Sequence, residues 1–591
     1  MSRRSFVTVS ILLLATAALS AQVLGPRWQN GCRRIWKGDD KFITTAATFF
    51  GTEAHEEFVS VGLLPNGDIV AVGNTWGPDF PASPKPEILG KGKWFEVSEY
   101  ESGAPTYKDK KGRVKFSDPA PDYPNRAGFI VVYSPDLQTI KRVVKFDWAV
   151  ATIDQVCVLP DGDIVIGGRA QQAFLDDVAA KATKQHRYQP PDLGDIEAEF
   201  AHIKKQDKRE QAIAKRRARF RKKYGPVYYQ GVKMPGHAYL MRLSDLHTPD
   251  WVVILEEYRN LDSKLTVILD QYIAFSSNGV KRVDLVTGEP DYDYGGDNKR
   301  NSGSFNPQTG EFYTGGTSFS GTGREPYKNP KLNCYNPDGT HHWEAYAWDS
   351  AMVGHDRFRL VSDSVARLVM PDPEGYLWVT MWSDGGNSVA SRNPLNILQG
   401  PRHNNPLGFS SWGATLGGFS NLVRFNPTTG DFDSYQFWST FMPRTGAPNS
   451  IGISQMGVLQ DSSMVLIGGA ASCLVQTKHC FVTFPEYFWD QEYLNSDDAP
   501  GAGYGGQYCT IFNKNMTNVR FSSYLPKMSA HAFCDGPDDG FLLVSSAEAP
   551  FDDDTLEESW GVVPVKNAVQ PDFGGGRMDG HILLMHDPEE D

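Results

Sequence analysis

Short apolar runs separated by tight turns recur along the chain. Residues 64–73 have the sequence LPNGDIVAVG, and residues 159–168 repeat it almost unchanged as LPDGDIVIGG. A Pro-Asn/Asp-Gly turn between runs of β-branched residues predicts a β-hairpin, because Pro presets the turn and Gly adopts a positive φ. Weaker copies of the same pattern follow at residues 265–276, 302–317, 366–381, 451–469 and 529–545. The pattern therefore predicts seven hairpins of this kind.

A second hairpin follows each of the first kind, most clearly at residues 128–146 and 236–255. Two hairpins make one four-stranded antiparallel sheet, and regular repetition of such sheets is typical of a β-propeller. The last unit stops after one strand of its second hairpin, at residues 580–585, and an unassigned strand lies within residues 32–50. Pairing these two segments would close a ring without an exposed sheet edge. We therefore predict an all-β fold, a seven-bladed β-propeller that forms a single domain over residues 22–591.

Two segments carry a resemblance to a known family. The sequence IVAVGNT at residues 69–75, followed by DFP at 79–81, and DGHILL at residues 579–584 resemble the repeats of secreted bacterial β-propeller repeat proteins of the SBBP kind. This resemblance implies a propeller fold and export from the cytoplasm. It implies no activity, because such repeats carry none.

The N-terminus and the charge restrict the compartment and the partners. Residues 1–21 combine two arginines, an apolar centre and small residues at a cleavage position, which predicts a signal peptide. We therefore expect an exported protein, periplasmic or extracellular. No later apolar run reaches the length of a transmembrane helix. The formal net charge of −13 argues against nucleic acid as a general partner.

Long connections separate the two hairpins of several units. They span residues 76–127, 171–235, 387–419, 473–502 and 548–575. In a propeller all of these loops leave the same face, and functional residues concentrate on loops that a rigid scaffold carries. We therefore expect one loop-rich face that binds a protein or a glycan.

The longest of these insertions predicts one α-helix, at about residues 195–224, whose second half is densely basic. Lys215, Arg216 and Arg219 are among its charged residues. One interpretation is a solvated helix on the surface of an acidic protein. The other is a docking element for an acidic glycan, a partner protein or an anionic membrane surface.

Polar residues precede each predicted inner strand and would surround the mouth of the central channel. The histidines and carboxylates among them are candidates for acid–base catalysis or metal binding: His55, Glu57, Asp154, His355 and His531. Other polar residues expected near this mouth are Glu56, Lys264, Arg300, Asp356, Arg357, Arg359 and Asp363, with Arg357 a candidate for ligand binding. The alternative is that loop starts are polar in every propeller. No HExxH or GxSxG motif is present. A polysaccharide-active hydrolase or lyase thus remains the alternative to a binding or scaffold protein.

Two tryptophans and one acidic segment complete the candidate binding residues. Trp76 and Trp382, with Asp384 close by, suit stacking on sugar rings, although packing between blades explains tryptophans equally well. Asp291, Asp293 and Asp297 have the alternate spacing of a Ca²⁺ loop but lack the distal glutamate. We predict no cofactor: calcium is a weak candidate here, and an acidic turn at a strand end explains the spacing as well.

The chain has seven cysteines, and no CxxC pair occurs among them. Cys473 and Cys480 lie in one predicted loop, and we expect them to form a small disulfide.

Overall fold

A computed structural model describes 34–36, 42–77, 84–92, 106–108, 114–116, 126–148, 150–188, 200, 202–224, 228–229, 232–233, 237–255, 261, 263–277, 279–295, 304–319, 328–346, 363–384, 389–397, 399, 407, 418–441, 448–471, 473–481, 506–548, 563–575 and 578–587. The predicted signal peptide, residues 1–21, and large parts of the five predicted insertions lie outside these ranges.

Seven blades, numbered 1 to 7 in chain order, surround one central cavity, and strand pairing joins blades 1 and 2 into one 11-stranded sheet. The chain begins with β1 (Arg34–Ile35) and β2 (Ile43–Phe50). Blade 1 and its insertion contain β3 (Glu56–Leu63), β4 (Ile69–Thr75), β5 (Glu87–Lys91), β6 (Thr106–Lys108), β7 (Val114–Phe116), β8 (Arg126–Tyr133) and β9 (Ile140–Asp147). Blade 2 and its insertion contain β10 (Val150–Ala151), β11 (Gln155–Val158), β12 (Ile164–Ala170), α1 (Gln172–Ala179), β13 (Lys184–Tyr188), α2 (Gln206–Tyr224), β14 (Tyr228–Tyr229), β15 (Val232–Lys233), β16 (His237–Ser244) and β17 (Thr248–Leu255).

The next three blades have four strands each. Blade 3 consists of β18 (Thr266–Ile268), β19 (Tyr272–Ser276), β20 (Val280–Asp284) and β21 (Pro290–Asp291). Blade 4 consists of β22 (Ser304–Phe305), β23 (Phe312–Phe319), β24 (Lys328–Tyr335) and β25 (His341–Ala345). Blade 5 consists of β26 (Ser364–Pro371), β27 (Leu377–Ser383), β28 (Phe419–Phe425) and β29 (Phe432–Trp438), with a 3₁₀ turn at Val389–Ser391.

The last two blades complete the ring. A small ribbon of β30 (Thr440–Phe441) and β31 (Pro448–Asn449) precedes them. Blade 6 consists of β32 (Ile451–Val458), β33 (Met464–Ala470), β35 (Gly506–Phe512) and β36 (Val519–Tyr524), and its insertion contains β34 (Val475–Gln476), which pairs with β1 in a separate two-stranded sheet. Blade 7 contains β37 (Met528–Asp535), β38 (Phe541–Glu548) and β39 (Met578–His586). The all-β, seven-bladed propeller predicted from the sequence is therefore confirmed.

The N-terminal strand closes the ring. Strand β2 pairs antiparallel with β39, from Ile43 opposite His586 to Phe50 opposite Gly580, and becomes the outermost strand of blade 7. Phe49 and Phe50 are buried in this sheet. The segment that the sequence left unassigned thus supplies the fourth strand that blade 7 lacks.

Turn chemistry and burial explain why these segments form strands. Gly67 and Gly162 occupy the turns of the first two hairpins with φ of 83° and 91°, values that L-residues rarely adopt. Every residue of β4 is buried, because its sheet packs between two neighbouring blades. The core therefore lies between the blades and surrounds the axis.

Blades 1 and 2 each gain a fifth strand from their insertions. Strand β5 runs parallel to β9, and β13 runs parallel to β17, so both lie at the outer edge of the ring. Helix α1 packs beside them, with Phe174 fully buried against Phe146 and Tyr239. Apolar residues of the insertions therefore continue the core outward.

β-Bulges interrupt the strand pairing at two positions that recur in several blades. In blades 1, 5, 6 and 7 the inner strand carries one extra residue: Val59, Arg367, Ser454 and His531. In six blades the outer strand of the second hairpin begins with another extra residue: Lys141, Asp250, His342, Asp433, Arg520 and, in the closing strand, Thr45. Bulges redirect side chains, and both positions bear on the sites described below.

Candidate axial binding site

The seven inner strands enclose an axial cavity of about 680 Å³. Every blade contributes to its wall, through residues such as Val59, Gln155, Lys264, Phe305, Arg367, Gln455 and His531. Residues at the starts of the inner strands lie on the face from which the five predicted insertions leave, because the insertions connect second and third strands. We call this end of the cavity the axial mouth.

Two cations reach into the cavity. The Lys264 ammonium lies 4.4 Å from the ring centroid of Phe533, and the Arg367 guanidinium lies 5.6 Å from that of Trp382. Both side chains are exposed to the cavity, and neither forms an ion pair or a side-chain hydrogen bond with a described residue. Protein surrounds Lys264, and this desolvation lowers the pKa of its ammonium group. The cavity therefore presents positive charge that the described residues leave uncompensated.

One carboxylate, Asp535, lies among the described residues of the cavity wall, at the end opposite the mouth. The backbone N–H of Gln460 donates a 3.0 Å hydrogen bond to it. Burial raises the pKa of Asp535. The lining therefore favours an anion over a cation.

The bulge in β37 places His531 in the cavity wall. Its Nε2 lies 2.5 Å from the Ser546 hydroxyl. Burial lowers the pKa of His531, with an opposing effect from the Glu57 charge, so the imidazole is neutral near pH 7. A neutral, hydrogen-bonded imidazole adds polarity to the wall without adding charge.

Arg126 organises the candidate residues of blade 1. Its guanidinium donates a short hydrogen bond to Glu57 and lies 4.7 Å from the ring centroid of Trp76. The His55 ring also contacts Trp76, at a tilt of 51° and with 4.1 Å between the two ring centroids. Asp154 of blade 2 is close enough to feel the charges of Arg126 and Glu57. The structure thus brings these predicted residues together around one arginine.

The two carboxylates of this cluster, Glu57 and Asp154, lie in different environments. Glu57 is neutralised by Arg126, and its side chain is only 13% exposed. Burial raises the pKa of Asp154, and its Oδ2 has no hydrogen-bond partner among the described residues. A general acid–base pair would need two carboxyl groups that face a substrate. The cluster is better suited to holding blades 1 and 2 together at the mouth.

Both tryptophans are half-buried near the mouth. Trp76 lies between His55 and Arg126, and Trp382 packs against Gly418 beside Arg367. The predicted stacking surface of Trp76 is therefore shared with two protein groups. The nearby Asp384 is exposed.

The predicted calcium residues have protein partners. Asp291 accepts hydrogen bonds from Arg282 Nε at 2.8 Å and from the backbone N–H of Asp293 at 2.9 Å. Asp297 lies outside the described residues. The Arg282 guanidinium therefore already compensates the charge of Asp291.

Other predicted residues lie beyond what the structure describes. They are His355, Asp356, Arg357, Arg359 and Arg300. Helix α2 covers residues 206–224 of the predicted basic helix, and Lys215 is exposed on it. The side chains of Arg216 and Arg219 are outside the description. No helix within the described ranges is long and apolar enough to cross a membrane.

The predicted Cys473–Cys480 disulfide is wrong. Cys473 is disulfide-bonded, but Cys480 carries a thiol. Cys473 is buried directly before β34, which pairs in parallel with β1 near the N-terminus. Cys480 ends a separate turn in which its N–H bonds to the carbonyl of Thr477. The short spacing in sequence therefore did not indicate a bond between the two sulfur atoms.

The sequence did not identify Arg367 and Arg126. The sequence does mark Arg367 as unusual, since this charged residue interrupts the apolar run of β26 in the middle of the strand, away from any turn. Its direction depends on the bulge, which only the pairing with β27 defines. Arg126 begins β8 directly after an insertion, where a polar residue is ordinary.

Comparisons with known proteins find only distant similarities. No protein-family model and no curated protein sequence matches the chain. A protein of unknown function from Dyadobacter fermentans DSM 18053 aligns with a TM-score of 0.32 at 10% identity, over 93% of this chain and 99% of the other. The WD40 β-propeller domain of Doa1 aligns with a TM-score of 0.36 at 7% identity, over 94% and 99%. The chain is similar to these proteins only at this level.

Proposed function

We propose that this protein is an exported β-propeller binding protein whose axial mouth receives an anionic group of a protein or glycan partner. The observation that carries the proposal is a pair of cations, Lys264 and Arg367, in one concave cavity where the described residues offer neither of them an ion pair. The pattern of residues 1–21 and the resemblance to SBBP-type repeats support export.

The physical argument rests on the cost of enclosed charge. A cation removed from bulk water costs free energy unless an anion or hydrogen-bond acceptors compensate it. Aromatic faces offset part of this cost for Lys264 and Arg367. A carboxylate or sulfate of the partner would supply the remainder, and the apolar wall around Met456 and Val458 would exclude water. Charge complementarity of this kind provides specificity.

The alternative, a polysaccharide hydrolase or lyase, is less well supported by the described candidates. Glu57 is ion-paired with Arg126, His531 is hydrogen-bonded to Ser546, and the half-buried Asp154 lies close to the charges of Arg169 and Arg126. Groups engaged in this way favour a structural role over proton transfer to a substrate.

Binding is tested on an array of uronate-bearing, sulfated and neutral glycans together with acidic and neutral peptides. We expect the purified chain to retain acidic ligands and to release neutral ones of the same size. The variants K264M and R367M should each weaken the best interaction by about tenfold or more, which is about 1.4 kcal/mol. K85M is the matched control, because Lys85 is exposed and lies outside the cavity.

Two outcomes would contradict the proposal. One is equal retention of neutral and acidic ligands, and the other is unchanged affinity in both cavity variants. Turnover of a polysaccharide in the same samples, lost in H531A, would instead support the enzyme alternative.

A further inference from the structure

A second cluster of ligating groups lies at the opposite end of blade 4 from the axial mouth. The carboxylate of Glu311, the thiol of Cys334 and the imidazole of His342 converge there, and one ligand atom from each lies within 4.8 Å of the other two. Glu311 directly precedes β23, Cys334 is near the end of β24, and His342 is near the start of β25. The cluster is therefore built on strand ends rather than on long loops.

A β-bulge brings His342 into this cluster. Trp343 pairs with Cys334 and His341 pairs with Tyr335, so His342 is the extra residue between the two pairs. The bulge turns its ring toward Glu311, whose Oε1 lies 2.6 Å from Nδ1. Cys334 is fully buried, and the His342 side chain is 50% exposed. One side of the cluster is therefore open to solvent.

Blades 1, 3, 6 and 7 have an aliphatic residue at the position of Cys334, namely Val132, Val283, Ile511 and Leu584. Blade 2 differs from them. There Arg242 occupies the place of Cys334, pairing with the second residue of the second strand as Cys334 does. Its guanidinium lies 2.7 Å from Asp163 and 3.5 Å from Asp250, the bulge residue. An internal cation thus compensates the carboxylates of the turn and the bulge.

Blade 5 repeats the arrangement of blade 2. Arg424 contacts Asp372 of the turn and Asp433 of the bulge, at 2.6 Å each. Blade 4 keeps the carboxylate, as Glu311, and the bulge residue, as His342, but has Cys334 where blades 2 and 5 have arginine. Lys141 of blade 1 and Arg520 of blade 6 pair from the bulge with a turn carboxylate, as His342 does with Glu311. Blade 4 differs from those two blades in having a thiol, Cys334, where they have Val132 and Ile511.

We propose that blade 4 binds a divalent transition metal, best matched by zinc, through Cys334 Sγ, His342 Nδ1 and a carboxylate oxygen of Glu311. Sulfur and imidazole donors favour zinc over calcium or magnesium, which prefer oxygen ligands. Three protein ligands leave the fourth tetrahedral position to water. Cys334 binds as the thiolate and releases its proton to the buffer.

Only a small rearrangement is needed for metal entry. Ligand atoms in a tetrahedral zinc site are about 3.4 Å apart, given zinc–ligand bonds of about 2.0–2.3 Å. The 2.6 Å hydrogen bond between Glu311 and His342 therefore has to widen by less than about 1 Å, and the distances to the Cys334 sulfur, which are within 4.8 Å, have to shorten by about 1.4 Å at most. The exposed His342 side chain makes this movement without disturbing the core.

The test uses the tag-free chain with the disulfide of Cys473 intact, freed of metal by a chelator, because a histidine tag and newly reduced thiols bind zinc themselves. Isothermal titration calorimetry with Zn²⁺ should show one site per chain. Co²⁺ substitution should give thiolate-to-metal charge-transfer absorption. H342A and C334S should weaken Zn²⁺ binding by at least about tenfold, since loss of even an outer-shell partner costs about 10–100-fold. H341A is the matched control, because His341 is the exposed neighbour that packs on Tyr335.

H342A keeps the test valid if C334S fails to fold, because His342 is half-exposed. Absence of Zn²⁺ binding, or affinity unchanged in H342A, would overturn the proposal and leave a Glu311–His342 ion pair. A Co²⁺ spectrum without thiolate absorption would exclude Cys334 as a ligand. Ligand binding at the axial mouth is measured separately, so failure of either proposal is distinguishable.

Discussion

Asp579 makes the stability of the closed ring depend on pH. It is fully buried near the start of β39, beside Gly51 at the end of the closing strand, and the N–H of Gly574 donates to its Oδ2 at 2.5 Å. Burial raises the pKa of Asp579 from 3.8 to about 7, and the nearby Glu56 carboxylate raises it further, against the hydrogen bond from Gly574. The variant D579N removes this titration and keeps an oxygen acceptor for Gly574.

The sign of the pH effect on stability follows from the number of protons that the folded and unfolded states bind. The unfolded chain loses the Asp579 proton near pH 3.8, whereas the folded chain keeps it until about pH 7. Between these values the folded state binds more protons, so the free energy of unfolding falls as pH rises. About 3 pKa units at 1.36 kcal/mol each give a loss of about 4 kcal/mol, complete above about pH 7. D579N should lack this loss and should be more stable than the parent protein at pH 8.

Urea unfolding at pH 4.5 and pH 8, followed by tryptophan fluorescence, measures this difference. The pH-dependent change should be about 3 to 4 kcal/mol smaller in D579N than in the parent. D384N is the control for an exposed aspartate and should behave like the parent. Identical pH dependence of D579N and the parent would refute the reasoning, since Asp579 would then be ionised at neutral pH in the folded protein.

Two further predictions concern packing in blades 5 and 6. R424M should lower the free energy of unfolding in urea by about 3–5 kcal/mol, because it leaves the fully buried Asp372 without its cation. K514M removes only an exposed ion pair and should leave this free energy nearly unchanged. Equal costs for the two variants would contradict this. G468A should lower the free energy of unfolding by about 1–3 kcal/mol, since a Cβ at Gly468 would overlap the backbone of the adjacent strand. G469A should stay within about 0.5 kcal/mol of the parent, because the added methyl group meets open space. Similar melting temperatures for G468A and G469A would show that the strands adjust.

The fold was predictable because its signals are local. A turn such as residues 64–68 and the alternation of the flanking strands determine a hairpin within about ten residues, and seven repeats of it define the ring. Closure by β2 was predictable because the last blade lacks one strand in the sequence itself. The fifth strands β5 and β13 were not, since each is a short run inside an insertion and pairs with an edge distant in sequence.

The candidate site was only partly predictable, because bulges depend on pairing between strands. Lys264 was expected near the mouth from its place before β18, and it lines the cavity. Arg367 and His342 owe their directions to one extra residue in a ladder, which no single strand reveals. Spacing also misled for Cys473, whose environment is set by β34 and its partner strand from the N-terminus.

Because β2 is synthesised early and its partner β39 is synthesised last, the ring can close only at the end of synthesis. Thr45 contacts His586, which follows it by 541 positions, so the ribosome needs about half a minute to two minutes to deliver the partner of β2. During this interval an apolar segment ending in Phe49 and Phe50 has no sheet to join. Newly made molecules therefore pass through a stage in which this segment needs protection from pairing with other chains.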